Sequence, residues 1–205
     1  VNINQNAIYA ECFMDELAHA AGQDPLEFRR KLMKDNPKHL AVLNAVAEKA
    51  GWGKPAAKGV FRGLAQMKAF NSYVAACAEV SVSAKNEVKV HRIVAATDCG
   101  YAVNPAQIER QIAGSFVYGL SALFDQECTV KNGRIEQENF NTYQCMKIAQ
   151  MPKVESIVMP SGGFWGGIGE AGVPPIAPAI CNAIFAATGK RIRSLPLKGQ
   201  ILAKA

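Results

Sequence analysis

The hydrophobic period of this chain changes along its length, and that change limits the folds open to it. From Asn6 to Ala21, Ile8, Cys12, Phe13 and Leu17 recur at three- and four-residue spacing and Gly22 follows, which predicts a helix. Asp24-Pro25-Leu26-Glu27 predicts a second helix, with Asp24 as cap, Pro25 in the first turn and Glu27 in the capping-box position. A third follows Pro37, with Leu40, Leu43, Val46 and Ala47 inward and Gly51 as its stop. The period then falls to two. Val74, Ala76, Ala78, Val80 and Val82 alternate with Tyr73, Cys77, Glu79, Ser81 and Ser83, which predicts a strand with one buried face. Ala84 to Glu87 turns the chain and Val88 to Thr97 returns as the second strand of a hairpin. The helical period resumes at Asn104-Pro105-Ala106-Gln107, with Ile108, Ile112, Phe116, Leu120 and Phe124 as its stripe. Asn132-Gly133, between Val130 and Ile135, predicts another hairpin. Val154 to Met159 reads as a short strand, and Pro174 to Thr188, closed by Gly189, as the last helix. Helices and hairpins mixed without regular βαβ alternation predict an α+β fold of antiparallel hairpins with packed helices. Residues 1–52 form a helical region, and 59–205 an α+β region that contains a glycine-rich loop.

Composition narrows the functional classes. A chain of 205 residues with 49% hydrophobic and 20% charged residues buries a core without staples. No apolar run approaches the length that spans a membrane as a helix. The six cysteines are at least 17 residues apart, so no C-x-x-C of a zinc or redox site occurs, and several read as small buried hydrophobes. The net charge is +6, with clusters at Arg29, Arg30, Lys31, Lys34 and Lys38 and at Lys190, Arg191 and Arg193. They hold few aromatics and match no nucleic-acid motif, so they read as solvated faces and nucleic acid is not an expected partner. The chain begins with Val1 and carries no signal peptide, which leads to the expectation that 205 residues is a boundary within a longer protein.

Residues 162–172 hold six glycines in eleven positions. A phosphate cradle is the first reading of such a loop. No Gly-Lys-Ser/Thr follows, however, and the next helix opens with Pro174-Pro175, which offer no backbone N–H to an anion. The second reading is that the glycines clear space around Glu170, whose sequence neighbours are Ile168, Ala171, Val173 and glycines, with no Lys or Arg within 15 residues. Desolvation there would raise the carboxyl pKa, as suits a general base. A helix cap or a solvent-facing glutamate is the alternative. Phe164 and Trp165 read as core aromatics or as the lining of a substrate funnel.

The stretch from Gly169-Glu170-Ala171-Gly172-Val173-Pro174-Pro175 through Cys181-Asn182-Ala183 to Gly189-Lys190-Arg191 resembles the C-terminal signature of molybdenum hydroxylases. Within the xanthine dehydrogenase/aldehyde oxidase family, it is most similar to large subunits of the isoquinoline 1-oxidoreductase and membrane-associated aldehyde dehydrogenase branch. Three further segments agree: Gln5-Asn6-Ala7 to Arg30, Ser72-Tyr73-Val74-Ala75 to Val80, and Asp98-Cys99-Gly100 to Gly119-Leu120-Ser121. The resemblance covers essentially the whole chain. It implies the fold of a molybdenum-cofactor-binding domain, of which this chain is the C-terminal part. It also implies hydroxylation of an aldehyde or an N-heterocyclic aromatic substrate with water as oxygen source.

The family's base falls on Glu170, with Gly169 and Ala171 beside it at the cofactor. Gln111 matches a glutamine near the cofactor, although a surface helix glutamine is an equal reading. Asn2 to Gln5 matches the end of a loop passing the cofactor. No side chain here is implied to ligate molybdenum directly. The implied cofactor is molybdopterin in its cytosine dinucleotide form, with 2Fe–2S clusters on a partner subunit. Implied partners are the remainder of the large subunit, the iron–sulfur small subunit, a cytochrome c acceptor and a small-molecule substrate. The compartment stays open between periplasm and cytoplasm, with membrane association through partners. The sequence departs from the family at Ala171, where Pro is common, and at Gly114-Ser115, where a second glycine is common; neither removes a functional group. The competing expectation is an isolated, non-catalytic domain that acts only in assembly with other chains.

Overall fold

A computed structural model describes residues 2–203. The elements run α1 (Ile3–Ala20), α2 (Pro25–Leu32), α3 (Pro37–Ala50), β1 (Phe61–Ala69), β2 (Ser72–Val82), β3 (Val88–Asp98), α4 (Pro105–Phe124), β4 (Val130–Lys131), β5 (Arg134–Ile135), β6 (Lys153–Val158) and α5 (Val173–Thr188). Local chemistry fixes several boundaries as expected. Asp24 accepts from the Leu26 and Glu27 amides at the start of α2, and Asn104 accepts from the Gln107 amide at the start of α4. Gly51 and Gly189 end α3 and α5 in the left-handed conformation. Asn132 and Gly133, both at positive φ, make the tight turn of the β4–β5 hairpin.

The main sheet has the order β1-β2-β3-β6. The first three strands form an antiparallel meander, whereas β6 lies parallel to β3, reached by a crossover through α4. The expected α+β fold of antiparallel hairpins with packed helices is what is found, with β6 added parallel to β3. The strand β1 carries no counterpart among the sequence expectations. Helices α1, α4 and α5 cover one face of the sheet, while α3, with Leu26 of α2, covers the other. Both faces of β2 are consequently buried: Val74, Ala76, Ala78 and Val80 under α5, Ala75 and Cys77 under α3. The expected single buried face is corrected by the second helical layer.

Small residues set the spacing between α5 and the sheet. A Cβ on Gly63 of β1 would lie 2.2 Å from the Ala179 carbonyl oxygen and 2.3 Å from the Ala183 nitrogen. Alanines at 65, 76, 78, 179 and 183 are likewise fully buried. Alanine is a poor strand former, and here it is the side chain that admits a helix backbone. The helix α5 is apolar nearly all round, as a helix enclosed on several sides must be.

Several polar groups inside this packing are paired, while the Gln66 side-chain amide and Asn182 Oδ1 have no partner among the described residues. The Arg29 guanidinium donates to Glu11 Oε2 at 2.9 Å, to the Glu11 carbonyl at 2.9 Å and to the Pro25 carbonyl at 3.0 Å. Glu11 Oε2 also accepts from the Gln66 amide at 3.0 Å, and Asn182 Nδ2 donates to the Leu64 carbonyl at 3.0 Å. Burial pushes the Glu11 carboxyl up, and Arg29 opposes this. Arg191 pairs with Asp15 at 2.6 Å, and Arg193 pairs with Glu16. The basic clusters are therefore only partly solvated faces: Lys31, Lys34 and Lys38 are exposed, but Arg29 is interior and ties α2 to α1, whose Glu11 in turn reaches β1. On the outer rim, Arg62, Glu79, Arg92 and Glu155 form a chain of ion pairs across all four strands.

Candidate active site

The ends of the sheet strands build the platform on which the glycine loop lies. Phe70 and Asn71, both at positive φ, turn β1 into β2. Beside that turn, β3 ends at Asp98, in register with Tyr73. Asp98 is 3% exposed, and its Oδ1 accepts from the Gly100 amide at 2.8 Å and from Ser161 Oγ at 2.9 Å. From Ser161 the loop crosses both strand ends. The Gly162 amide donates to the Gly100 carbonyl at 3.1 Å, and the Gly166 amide to the Cys99 carbonyl at 2.8 Å. The Gly167 amide donates to the Phe70 carbonyl at 2.7 Å, and Ser72 Oγ donates to the Gly167 carbonyl at 2.8 Å.

At Gly166 a Cβ would stand 2.3 Å from Ser72 Oγ and 2.8 Å from the Asn71 backbone. Glycine there permits backbone to lie on backbone. In the middle of the loop, then, glycine serves packing, where the sequence reading had all the glycines clearing space around a carboxylate.

Past Gly167 the loop reaches α4. Gly172 packs on Ile112 and Ser115, and a Cβ on Gly169 would come 3.9 Å from Gln111 Nε2. Gly169, Glu170 and Gln111 are all exposed on this surface. The structure thus brings Gln111 beside Gly169, the residue before Glu170. Ala171 turns the other way, fully buried in the core, so its side chain is not part of the exposed surface. The expected desolvation of Glu170 is corrected. The glycine before it has no side chain to cover it, and Ala171 is drawn inward, so the carboxylate faces solvent in this chain.

Asn2 and Gln5 are exposed at the start of α1. Gln5 lines a groove of about 950 Å³ with Tyr9, Phe13, Ile192 and Leu195, and Glu170 is not among its lining residues. Phe164 and Trp165 are 86% and 63% exposed, which excludes the reading as core aromatics. Sequence reasoning quoted Asp98 and Ser72 within segments that resemble the family but gave neither of them, nor Ser161, a role at the site. The Asp-x-Gly spacing of Asp98 and Gly100 is a turn signature that points to the first of them.

A polar group placed against this surface would meet a carboxylate, a primary amide and a loop in which a Cβ at either Gly162 or Gly163 would have nothing within 4 Å. Glu170, Gln111 and the loop backbone at Gly162 and Gly163 are thus open to a polar group approaching from outside the chain.

Comparison with known proteins agrees with the resemblance. Residues 4–152 match the family model of the molybdopterin cofactor-binding domain. Gln5 and Gln111 lie within that span, and Asn2 and Glu170 beyond it. The chain is 29% identical over 202 residues to isoquinoline 1-oxidoreductase subunit beta of Brevundimonas diminuta, covering 97% of this chain and 26% of that protein. It is 30% identical over 208 residues to a membrane-bound aldehyde dehydrogenase (pyrroloquinoline-quinone) of Gluconacetobacter polyoxogenes, covering 92% of this chain and 27% of that one. The chain therefore spans about a quarter of the length of these curated relatives. Among solved structures, aldehyde oxidoreductase from Desulfovibrio gigas shares the fold, with a TM-score of 0.70 over 95% of this chain and 40% of that one at 16% identity.

Proposed function

The chain belongs to the molybdopterin cofactor-binding domain family, and from that premise we propose that it is the C-terminal, base-bearing part of a molybdenum hydroxylase with Glu170 as the general base. The carrying observation is an exposed carboxylate next to Gly169, on a loop pinned to two strand ends, with the Gln111 amide near Gly169.

When bound, the molybdenum cofactor supplies a two-electron redox couple and a Lewis-acidic centre. The side chain of Gln111 would hold the cofactor's polar periphery, and Asn2 and Gln5 would approach it from α1. A Glu170 Oε takes the proton from the water whose oxygen enters the substrate. The balance is R–H + H2O → R–OH + 2 H⁺ + 2 e⁻, and 2Fe–2S clusters on a partner subunit would take up the electrons. The substrate is an aldehyde or an electron-poor N-heterocycle, which the names of the relatives support. The cytosine dinucleotide form of the cofactor and a cytochrome c acceptor belong to the same reading.

On its own the chain is inactive, because its Glu170 stands in water and the remainder of the large subunit must cover it. That cover restores the desolvation a general base needs. The test is Glu170→Gln in the complete enzyme. General-base removal should lower turnover by about 10²–10⁴-fold with molybdenum content unchanged. Turnover within a few-fold of the parent overturns the assignment.

A further inference from the structure

We propose that Asp98 is the positioning residue of the glycine loop, holding the segment that leads to Glu170 in the place from which Glu170 acts; this rests on the reading of Glu170 as base. Asp98 is buried, and Oδ1 is the acceptor for two donors, the Gly100 amide and Ser161 Oγ. One oxygen therefore ends β3, shapes the Cys99-Gly100 turn and anchors the first residue of the loop. That turn in its own right supplies the carbonyls for the Gly162 and Gly166 amides. Three of the loop's ties thus pass through residues 98–100, and the others through Phe70 and Ser72.

A polar side chain that is nine-tenths buried is costly to keep unless its oxygen is hydrogen-bonded, and the Gly100 amide and the Ser161 hydroxyl supply those bonds. Those bonds do not hold the core. They fix a segment whose large side chains, Phe164 and Trp165, stand in solvent. What they secure is the direction in which the loop reaches α4 and Gln111. Placement errors of about 1 Å in such a group cost about 10²-fold in rate.

The test uses the complete, molybdenum-loaded enzyme. Asp98→Ala should lower kcat by about 10–100-fold with KM within about threefold. Molybdenum content should match the parent, and amide exchange at residues 162–167 should quicken. Asp98→Asn keeps the acceptor oxygen and should restore both kcat and the parent exchange rates. Parent-like kcat in Asp98→Ala overturns the proposal. So does an Asp98→Asn variant as impaired as Asp98→Ala, because that makes the charge, and not the clamp, the cause. If Asp98→Ala does not accumulate as loaded enzyme, Ser161→Ala decides. It should lower kcat by about 3–10-fold and quicken exchange at the start of the loop; parent behaviour in both overturns the proposal. Glu170→Gln separates the two claims. An active Glu170→Gln enzyme removes the reading on which this rests, whereas an inactive one beside a parent-like Asp98→Ala overturns this inference alone.

Discussion

Two glycine-to-alanine substitutions in this chain should change stability in opposite directions. Gly63 lies in β1 directly beneath α5. A Cβ there would approach the Ala179 carbonyl oxygen to 2.2 Å and the Ala183 nitrogen to 2.3 Å. Both neighbours are helix backbone, so no side chain can rotate away, and α5 must retreat by about 1 Å to regain ordinary contact. Overpacking of this kind costs about 1–3 kcal/mol, and a backbone clash puts Gly63→Ala at the upper end. Restricting the unfolded chain returns only about 0.4–1 kcal/mol. A net loss of about 2 kcal/mol lowers the melting temperature of a chain this size by about 4–8 °C. Gly114 is the control, an exposed position in α4 with nothing within 4 Å of an added Cβ. Gly114→Ala should gain about 0.8–1 kcal/mol from helix propensity and raise melting by about 2–4 °C. Thermal and urea unfolding of the 205-residue chain read both. A Gly63→Ala protein as stable as the parent refutes the seating of α5 on β1, and with it the argument that small residues set the sheet-to-helix spacing.

The thiols give a second check. Burial pushes Cys77 up to about 12, and a hydrogen bond from the Cys181 thiol to Cys12, together with burial, raises Cys181 well above the usual thiol range. A maleimide at pH 8 should label exposed Cys128 and Cys145 in the folded chain, and Cys77 and Cys181 only after unfolding. Prompt native labelling of Cys77 contradicts its place between sheet and α3. At the rim, hydrogen bonds from Arg92 and Lys153 hold the Glu155 carboxyl down from 4.5 to about 2. The stability this adds is complete above pH 4.5 and is lost as pH falls through about 2. Glu155→Gln should flatten the decline in melting temperature between those pH values, and identical slopes in parent and variant would disprove the ladder's contribution.

Much of the helical part was legible because helix ends carry local chemistry. Asp24, Asn104, Gly51 and Gly189 announce boundaries within one turn of themselves. The strands were less so. In β1, Phe61–Ala69, Gly63 interrupts the pattern and Gln66 is buried, so no alternation stands out. The odd positions of β2 looked exposed, and only α3, a tertiary partner, hides Ala75 and Cys77. The parallel pairing of β6 with β3 spans a long connection that no local signal encodes. At the proposed site, Glu170 and Gln111 were named from the resemblance, and the approach of Gln111 to Gly169 comes from packing of the loop on α4, which no local signal encodes. Exposure was not readable. Apolar sequence neighbours suggested a desolvated Glu170, but Ala171 faces away from it, into the core.

The seating of α5 on the meander has a consequence for synthesis on the ribosome. The three antiparallel strands are complete at residue 98, whereas the helix that closes their inner face begins at residue 173. At translation rates of about 5–20 residues per second, that face waits about 4–15 s for its cover. During that interval the alanines and valines of β1, β2 and β3 meant for α5 are a sticky, half-dressed surface. A ribosome paused between β6 and α5 would hold the chain in its most aggregation-prone form, which makes this interval the point at which a chaperone has most to shield.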